Sequence, residues 1–408
     1  MIKVSTLVAY LILLFPCAFL VTVNASGVLA TIASYYDEII GLAALIYVTV
    51  VFMQKKLTTA DNMTYVGLVI LTVFGVVSNL FSGVTRNVFA VLVDVVFLWK
   101  PIACFLAFKC YAAGRKTGML RALYPWAKLS IVLNLILSVL GQFVRIGVTI
   151  GGANWYGKTY VFFWSSPYQT AWLVVGSLLI VAAATTDARV FKRYFLMAIP
   201  PLFFVGAALV WGWLIIAVML LAMIREGKAF KKGYLVWIAL VLLAAFSTDV
   251  AEYLLNDSAP RAKLLRGALE VANRYFPFGS GFATYGSEMA SRYYSSIYRD
   301  FGWQNSWGLG MVFNQYINDN FFACITGQFG WLGLVLYIGI QMNILGTVSS
   351  PSMSRMSRAM AVATILTLVA SMIGSASCKS VMGVCLFSIL GLLSADNKQV
   401  PMFLRKTA

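Results

Sequence analysis

The chain contains no histidine, and only 14 of its 408 residues are acidic. Without histidine the sequence offers no imidazole general base, no Ser–His or Cys–His nucleophile pair and no histidine-ligated metal. Charged residues of both signs make up 11% of the chain, whereas soluble domains carry about 25%. This scarcity of charge excludes a soluble enzyme, a disordered protein and a nucleic-acid-binding domain.

What the chain has instead is apolar surface, with 61% hydrophobic residues and a mean hydropathy of +0.85. A soluble domain could not bury this much, so the composition predicts a polytopic membrane protein. The net charge of +17 then indicates cytoplasmic loops rich in Lys and Arg. The cysteines form no CxxC pair and are interpreted as small apolar core residues, not as disulfides or metal ligands. No cofactor is expected. They are Cys17, Cys104, Cys110, Cys324, Cys378 and Cys385.

About twelve segments have the length and apolarity of membrane-spanning helices, which need about 20 residues each. The predicted fold class is therefore an all-α polytopic integral membrane protein. Between Arg193 and Arg225 either one long helix or two short ones would fit, and Pro200-Pro201 interrupts the first half. The predicted spans are 5–23, 38–53, 64–80, 88–112, 129–149, 168–185, 194–209, 211–225, 234–251, 321–346, 359–376 and 380–395.

The distribution of positive charge favours the two short helices. With a cytoplasmic amino terminus, 19 of the 31 lysines and arginines then fall on the cytoplasmic side and 10 on the far side. A single helix would move the basic cluster 225–232 outside and reverse every later loop, against the positive-inside rule. The predicted organisation is N-terminal transmembrane helices 1–254, a large outside loop 255–320, and C-terminal transmembrane helices with a cytoplasmic tail, 321–408.

The first half of the loop has a helical pattern over 262–275, which Ser258 or Ala259-Pro260 can start. Arg266, Glu270 and Arg274 recur at intervals of four and share one helix face. Arginine forks grip phosphate oxygens, so this face predicts an anion site. An interfacial helix whose arginines meet lipid headgroups or Glu270 fits the same pattern. Glycines 279, 281 and 286 predict a flexible turn where backbone can approach a ligand.

The second half of the loop is aromatic, which fits either a membrane-interface belt or a surface that stacks on sugars. At its end, Asp319 is a candidate general base or a partner for a loop arginine, and Asn318 or Asp319 could cap the next helix. The aromatic residues are Tyr285, Tyr293, Tyr294, Tyr298, Phe301, Trp303, Trp307, Phe313 and Tyr316.

Charged residues within or beside the spans are further candidates. Lys100 lies near the middle of the fourth span, where it could line a cavity, neutralise a phosphate or pair with an acid on a neighbouring helix. Arg145, near the outer end of the fifth span, could snorkel to the interface. Asp249 and Glu252 end the ninth span and are candidate counter-ions for the loop arginines.

Several short motifs lie in the loop and in the segments on either side of it. Arg261 leads into the helical pattern and then Pro277-Phe278-Gly279-Ser280-Gly281-Phe282. Asn318-Asp319-Asn320 stands before a segment containing Gly327-Gln328-Phe329-Gly330, and Arg145 to Gly147 matches an upstream Arg-x-x-Gly-like motif with Ser166-Pro167 beyond. This order and the topology resemble the O-antigen ligase/polymerase superfamily of bacterial inner-membrane proteins. Motif-level similarity covers about 145–170 and 261–335.

The resemblance implies a GT-C-like fold and a large periplasmic loop, with no nucleotide sugar and no obligatory metal. Ligases of the superfamily have His-Asn where this chain has Asp319-Asn320, so the chain is more similar to Wzy-type polymerases. These join undecaprenyl-pyrophosphate-linked repeat units, sometimes with a chain-length regulator as partner. The implied catalytic residues are Arg261, Arg266 and Asp319, and the implied substrate-binding residues are Arg145, Arg274, Asn320, Tyr285 and Arg292.

Two other functions remain open at the level of sequence. A ligase would transfer finished glycan to another acceptor, and a flippase would carry the lipid-linked oligosaccharide across the bilayer. A flippase is expected to place polar groups along a central path between duplicated halves. This chain has no internal repeat and gathers its polar residues in one loop.

Overall fold

The computed structural model describes residues 3–164, 166–224, 231, 233–245, 256 and 258–396. It is mostly helical, and seven of its helices are long and apolar enough to cross a membrane. This indicates a multi-pass membrane protein. The seven candidate spans are Val4–Asn24, Val28–Met53, Thr59–Ser82, Val88–Ala112, Lys116–Phe143, Pro167–Ala184 and Phe321–Val348.

The elements alternate between long apolar helices and short connections up to the large loop. Side-chain caps start several helices: Thr58, Asn87 and Ser166 each accept a hydrogen bond from a backbone N–H of the first turn. In chain order the elements before the loop are α1 Val4–Asn24, α2 Val28–Ser34, α3 Tyr36–Met53, α4 Thr59–Ser82, α5 Val88–Ala112, α6 Lys116–Phe143, β1 Thr149–Asn154, β2 Gly157–Tyr160, α7 Pro167–Ala184, α8 Ala188–Phe204, α9 Ala208–Met223 and α10 Tyr234–Ala245.

The loop and the C-terminal part are helical as well. The remaining elements are α11 Pro260–Arg274, α12 Glu288–Arg292, α13 Ser296–Asp300, a 3-10 turn Trp303–Asn305, α14 Phe321–Val348, α15 Arg355–Ser371, a 3-10 turn Ser377–Lys379 and α16 Val381–Ser394.

A helix occupies each of the twelve predicted spans, but their lengths differ from the prediction. Helices α8, α9, α10, α15 and α16 have 17, 16, 12, 17 and 14 described residues. At 1.5 Å per residue these are shorter than a hydrocarbon core of about 30 Å. The number twelve therefore stays a prediction. The end of the ninth predicted span, the candidate counter-ions Asp249 and Glu252, the basic residues 225–230 and the tail from 397 lie outside the described residues.

Between Arg193 and Arg225 the structure has the two helices that the charge distribution favours. Helix α8 ends at Phe204 and α9 begins at Ala208. Gly206 between them has a φ of +70°, a conformation that a residue with a Cβ rarely adopts. The break therefore falls after the Pro200-Pro201 pair, which α8 accommodates within its last turns.

The expectation of an all-α fold is wrong at one place. After α6 the chain forms a short antiparallel hairpin, in which Thr149 pairs with Tyr160 and Ile150 with Thr159. The predicted fifth span, 129–149, extends into this hairpin because Ile146 and Val148 continue the apolar pattern. The helix itself begins earlier, at Lys116, and ends at Phe143.

The large loop folds into a helical unit with a core of its own. Leu264, Ala268 and Val271 of α11 pack with Tyr285 and Tyr298, and all five are fully buried. Helix α11 confirms the predicted helix and its start, since Ala259 is the N-cap and Pro260 the first helical residue. The loop therefore forms a unit of helices and turns that packs on the candidate membrane-spanning helices.

The glycine turn anchors this unit to the spans. Gly281 N donates to Gln328 O at 2.9 Å, beside Gly330, where α14 is kinked. On the other side, Asn79 of α4 bonds both the N–H and the C=O of Phe282. A Cβ on Gly279 would lie 2.4 Å from Gly330 N, so glycine is required for helix and turn to approach each other.

Candidate functional site

A cavity of about 1480 Å³ opens where the loop unit meets the spans. One side, here called the apolar wall, is built from α3 and α5. A second group of lining residues, here called the polar end, comes from parts of the chain that are far apart in sequence. The apolar wall consists mainly of Ile39, Leu42, Phe89, Val93, Val96 and Phe97, and the polar end of Arg261, Glu288, Arg292, Asn318, Asp319 and Lys379.

An ion pair between Arg261 and Asp319 stands at the polar end. Nε and Nη2 of Arg261 both donate to Oδ2 of Asp319, the first at 2.9 Å. Arg261 lies in the first turn of α11, where the helix dipole disfavours a cation, so the carboxylate offsets an unfavourable position. The ring of Tyr316 lies 5.7 Å from the guanidinium carbon. The two side chains are 20% and 27% exposed, so a ligand in the cavity can reach both.

The environment of Asp319 sets its proton affinity. Burial raises the pKa of this carboxyl above its usual range, while the positive charges of Arg261 and then Lys379 lower it and offset part of the rise. A carboxylate with a raised pKa is a stronger base than one in water. The geometry thus supports the candidate role of Asp319 as an acceptor of protons.

Two further cations at the polar end have no acidic partner. Within the described part of the chain, no ion pair or hydrogen bond engages the charged groups of Arg292 and Lys379. Lys379 Nζ lies 5.5 Å from the ring centroid of Phe321, and Glu288 accepts a hydrogen bond from the Asn318 amide. Unpaired cations in a concave site attract an anion, and phosphate oxygens suit them best.

The other predicted arginines do not join this site. Arg266 and Arg274 are exposed on the outer face of α11, and Arg145 is exposed just after α6. None of the three lines the cavity. Arg274 pairs with Glu270 at 3.0 Å and with Asp300 at 3.3 Å. Of the three arginines predicted to share one pocket, Arg261 alone lines this cavity, because α11 turns the face that carries Arg266 and Arg274 to the outside.

Tyr285 and Asn320 have structural positions. Tyr285 is fully buried in the core of the loop unit, where its hydroxyl donates to Leu264 O at 2.6 Å. Asn320 is the N-cap of α14, since its Oδ1 accepts from Ala323 N at 2.8 Å. The cap was expected one or two residues earlier, at Asn318 or Asp319. With the cap at Asn320, the carboxylate of Asp319 is free to face the cavity.

The aromatic half of the loop is mostly internal packing. Tyr298 stacks on Trp303 with ring centroids 5.9 Å apart, and Tyr294 packs on Tyr298 at 5.6 Å. Trp307, 64% exposed, points outward. None of the loop aromatics from Tyr285 to Tyr316 lines the cavity. The structure therefore does not bring them to the site as a sugar-stacking surface.

Lys100 meets two of the three expectations from the sequence. It lines the cavity, and it pairs with Asp37 and with Glu38 of α3, the latter at 3.0 Å. The Phe97 ring lies 4.8 Å from its ammonium group. Because two carboxylates already compensate Lys100, it is a weaker candidate for phosphate than Arg292 or Lys379.

Sequence reasoning missed two groups of residues. The first is Lys379, one of the ten basic residues that the charge distribution assigns to the far side of the membrane. Its position directly before an apolar helix is a signal in the sequence that could have found it. The second group, here called the hydroxyl wall, forms a neutral hydrogen-bonding side of the cavity at the start of α7 and between α15 and α16. It consists of Ser166, Gln169, Ser371, Ser375, Ser377 and Ser380.

The arrangement combines an apolar surface, two cations without an acidic partner among the described residues and a carboxylate that can accept a proton. No protein-family model matches the chain, and no curated protein matches it at a significant level.

Proposed function

We propose that the protein is a polysaccharide polymerase that joins undecaprenyl-pyrophosphate-linked oligosaccharide repeat units. In this proposal it is a multi-pass protein of the bacterial inner membrane, with about twelve spans and the cavity on the periplasmic side. The observation that carries it is that Arg292 and Lys379, which have no acidic partner among the described residues, line the same cavity as the Arg261–Asp319 ion pair and the apolar wall. An amphiphile with a doubly charged headgroup is complementary to such a cavity.

The reaction is a glycosyl transfer. A hydroxyl oxygen of the acceptor sugar attacks the anomeric carbon of the donor, and the bond from that carbon to the pyrophosphate oxygen breaks. The leaving lipid pyrophosphate takes the electron pair and gains negative charge. Arg261, Arg292 and Lys379 stabilise this charge more strongly in the transition state than in the ground state, which is the requirement for catalysis.

The acceptor hydroxyl proton goes to Asp319. In the structure without substrate, Arg261 engages this carboxylate. A pyrophosphate at the polar end competes for the same guanidinium, and the carboxylate then regains lone pairs for the acceptor hydroxyl. Binding of the donor pyrophosphate thus makes the Asp319 carboxylate available as the general base. Holding two lipids side by side in one cavity supplies further rate by proximity.

Reconstitution tests the function. Purified protein in liposomes is supplied with undecaprenyl-pyrophosphate-linked repeat units, and the products are separated by size. Ladders of increasing repeat number are expected. Transfer of glycan to an added second acceptor without growth in repeat number would instead mean a ligase. Passage across the bilayer without growth would mean a carrier, and either result would overturn the polymerase proposal.

A further inference from the structure

The hydroxyl wall has a chemistry that neither a lipid tail nor a pyrophosphate requires. Its members are neutral, and each carries an oxygen that accepts hydrogen bonds together with a hydroxyl or amide proton that can be donated. It shares the cavity with the apolar wall and the polar end. Many neutral donors and acceptors side by side are what the hydroxyl groups of a saccharide need.

Backbone contacts put this wall next to the reactive end. Phe321 N donates to Ser375 O at 3.4 Å, and Phe321 follows Asp319 by two residues. Lys379 stands between Ser377 and Ser380 in the chain, and its charge lowers the pKa of Asp319. A group bound on the hydroxyl wall is therefore adjacent to both the carboxylate and a phosphate-binding cation.

The wall retains hydrogen-bonding capacity for a ligand. The Ser375 and Ser377 hydroxyls lie 2.7 Å apart, so one donates to the other and one proton stays available. The Gln169 amide oxygen receives only a 3.5 Å contact from the Ser380 hydroxyl. Gln169 lines the cavity, and among the residues that the structure describes its amide nitrogen has no hydrogen-bond partner, so its two N–H donors stay available.

We propose that the hydroxyl wall is the saccharide subsite, which binds the sugar next to the pyrophosphate of the lipid-linked substrate. This inference rests on the proposed function. It adds a binding site for the sugar, which the cations of the polar end do not contact. It replaces the loop aromatics as the sugar-binding element. Recognition is then by hydrogen bonds to sugar hydroxyls at the protein wall, with Gln169 and the Ser375–Ser377 pair as its central groups.

The test measures binding with two probes in lipid nanodiscs. One probe is undecaprenyl pyrophosphate, and the other is the undecaprenyl-pyrophosphate-linked oligosaccharide extracted from the producing cells. Wild-type protein is expected to bind the sugar-bearing probe roughly tenfold more tightly, since a few hydrogen bonds are added. Gln169→Leu is expected to remove most of this difference and to leave the Kd for undecaprenyl pyrophosphate unchanged.

Two companion variants make the result decisive. Ser375→Ala combined with Ser377→Ala should act in the same direction, although these serines also shape their turn, since Ser377 N donates to Ser375 Oγ. Gln304→Leu, in the loop unit and outside the cavity, should keep the wild-type difference. The inference is overturned if wild-type protein does not distinguish the probes, or if Gln169→Leu keeps the difference or weakens both probes equally. Absence of polymer with intact sugar discrimination would overturn the proposed function instead.

Discussion

The outer face of α11 and the polar end of the cavity hold the same kind of side chain in opposite circumstances. On the outer face, Arg274 is paired with two carboxylates and 38% exposed. At the polar end, Arg292 and Lys379 have no acidic partner within the described ranges, and Arg261 shares one carboxylate that also faces the cavity. The difference between the regions lies in their partners and in the shape of the surface.

This comparison teaches that a local excess of positive charge does not by itself locate an anion site. The basic pattern of α11 draws attention to Arg266 and Arg274, yet the helix presents them outward. The cavity instead collects single cations from α11, α12 and the turn before α16. Cations that lack acids and share a concave surface are the ones available for a ligand.

The largest expected effect comes from removing the base at the polar end. Asp319→Asn should lower the rate of polymer growth roughly 1000-fold, because no carboxylate is then present to accept the proton of the acceptor hydroxyl. The rate is measured with lipid-linked repeat units in proteoliposomes. Asp300→Asn, which removes one of the two acidic partners of Arg274 on the outer face, should leave the rate near that of wild type. Equal rates for both variants would remove Asp319 from the mechanism.

The next largest effect is expected from removing the two cations of the polar end that have no acidic partner among the described residues. Arg292→Ala combined with Lys379→Ala should lower kcat/KM for the lipid-linked donor roughly 100-fold, since two groups that stabilise the leaving pyrophosphate are lost. The single variant Arg292→Lys should lose less than the double variant, because lysine keeps the charge. It should still fall below wild type, because lysine lacks the guanidinium fork. A double variant with wild-type kcat/KM would contradict an anion site at the polar end.

The third prediction concerns pH. Polymer growth needs the ionised form of Asp319, so the rate should fall as pH drops through the raised pKa of this carboxyl. Arg261 lowers that pKa, so Arg261→Gln should move the acid limb of the normalised pH profile to higher pH. Arg274→Gln should leave the profile in place. A shift of the Arg261→Gln profile to lower pH, or none, would assign the limb to another group.

The smallest effect is expected on the outer face of α11. Arg266→Ala and Arg274→Ala should each change the rate of polymer growth less than about twofold, because exposed charges and surface ion pairs contribute little. Their folding is checked by thermal unfolding in detergent. A large loss of polymer from either variant in folded protein would show that the outer face, and not the cavity, meets the substrate.

Local features of the fold were predictable from the sequence because they depend on neighbours in the chain. Apolar length predicted a helix in each span, the charge distribution predicted the break between α8 and α9, and Ala259-Pro260 predicted the start of α11. Hairpin β1–β2 was missed because its apolar residues continue the pattern of α6.

The candidate site was predictable only in part, because long-range packing builds it. Arg261, Arg292 and Asp319 were chosen from their loop and do line the cavity. Arg261 and Asp319 are 58 residues apart, so the position of Asp319 after the loop predicted a pairing with one of the loop arginines but not with which one. Lys379 and the hydroxyl wall come from turns in other parts of the chain. Tyr285 was chosen for its chemistry, but its burial serves the core of the loop unit.

The most direct test of the anion site is the structure of the protein in nanodiscs with undecaprenyl pyrophosphate. Its diphosphate should lie with oxygens about 3 Å from the charged nitrogens of Arg292 and Lys379, with Arg261 turned from Asp319 toward the phosphate and the lipid chain along the apolar wall. A diphosphate bound at Arg266 and Arg274, or a cavity filled only by bilayer lipid, would contradict the account.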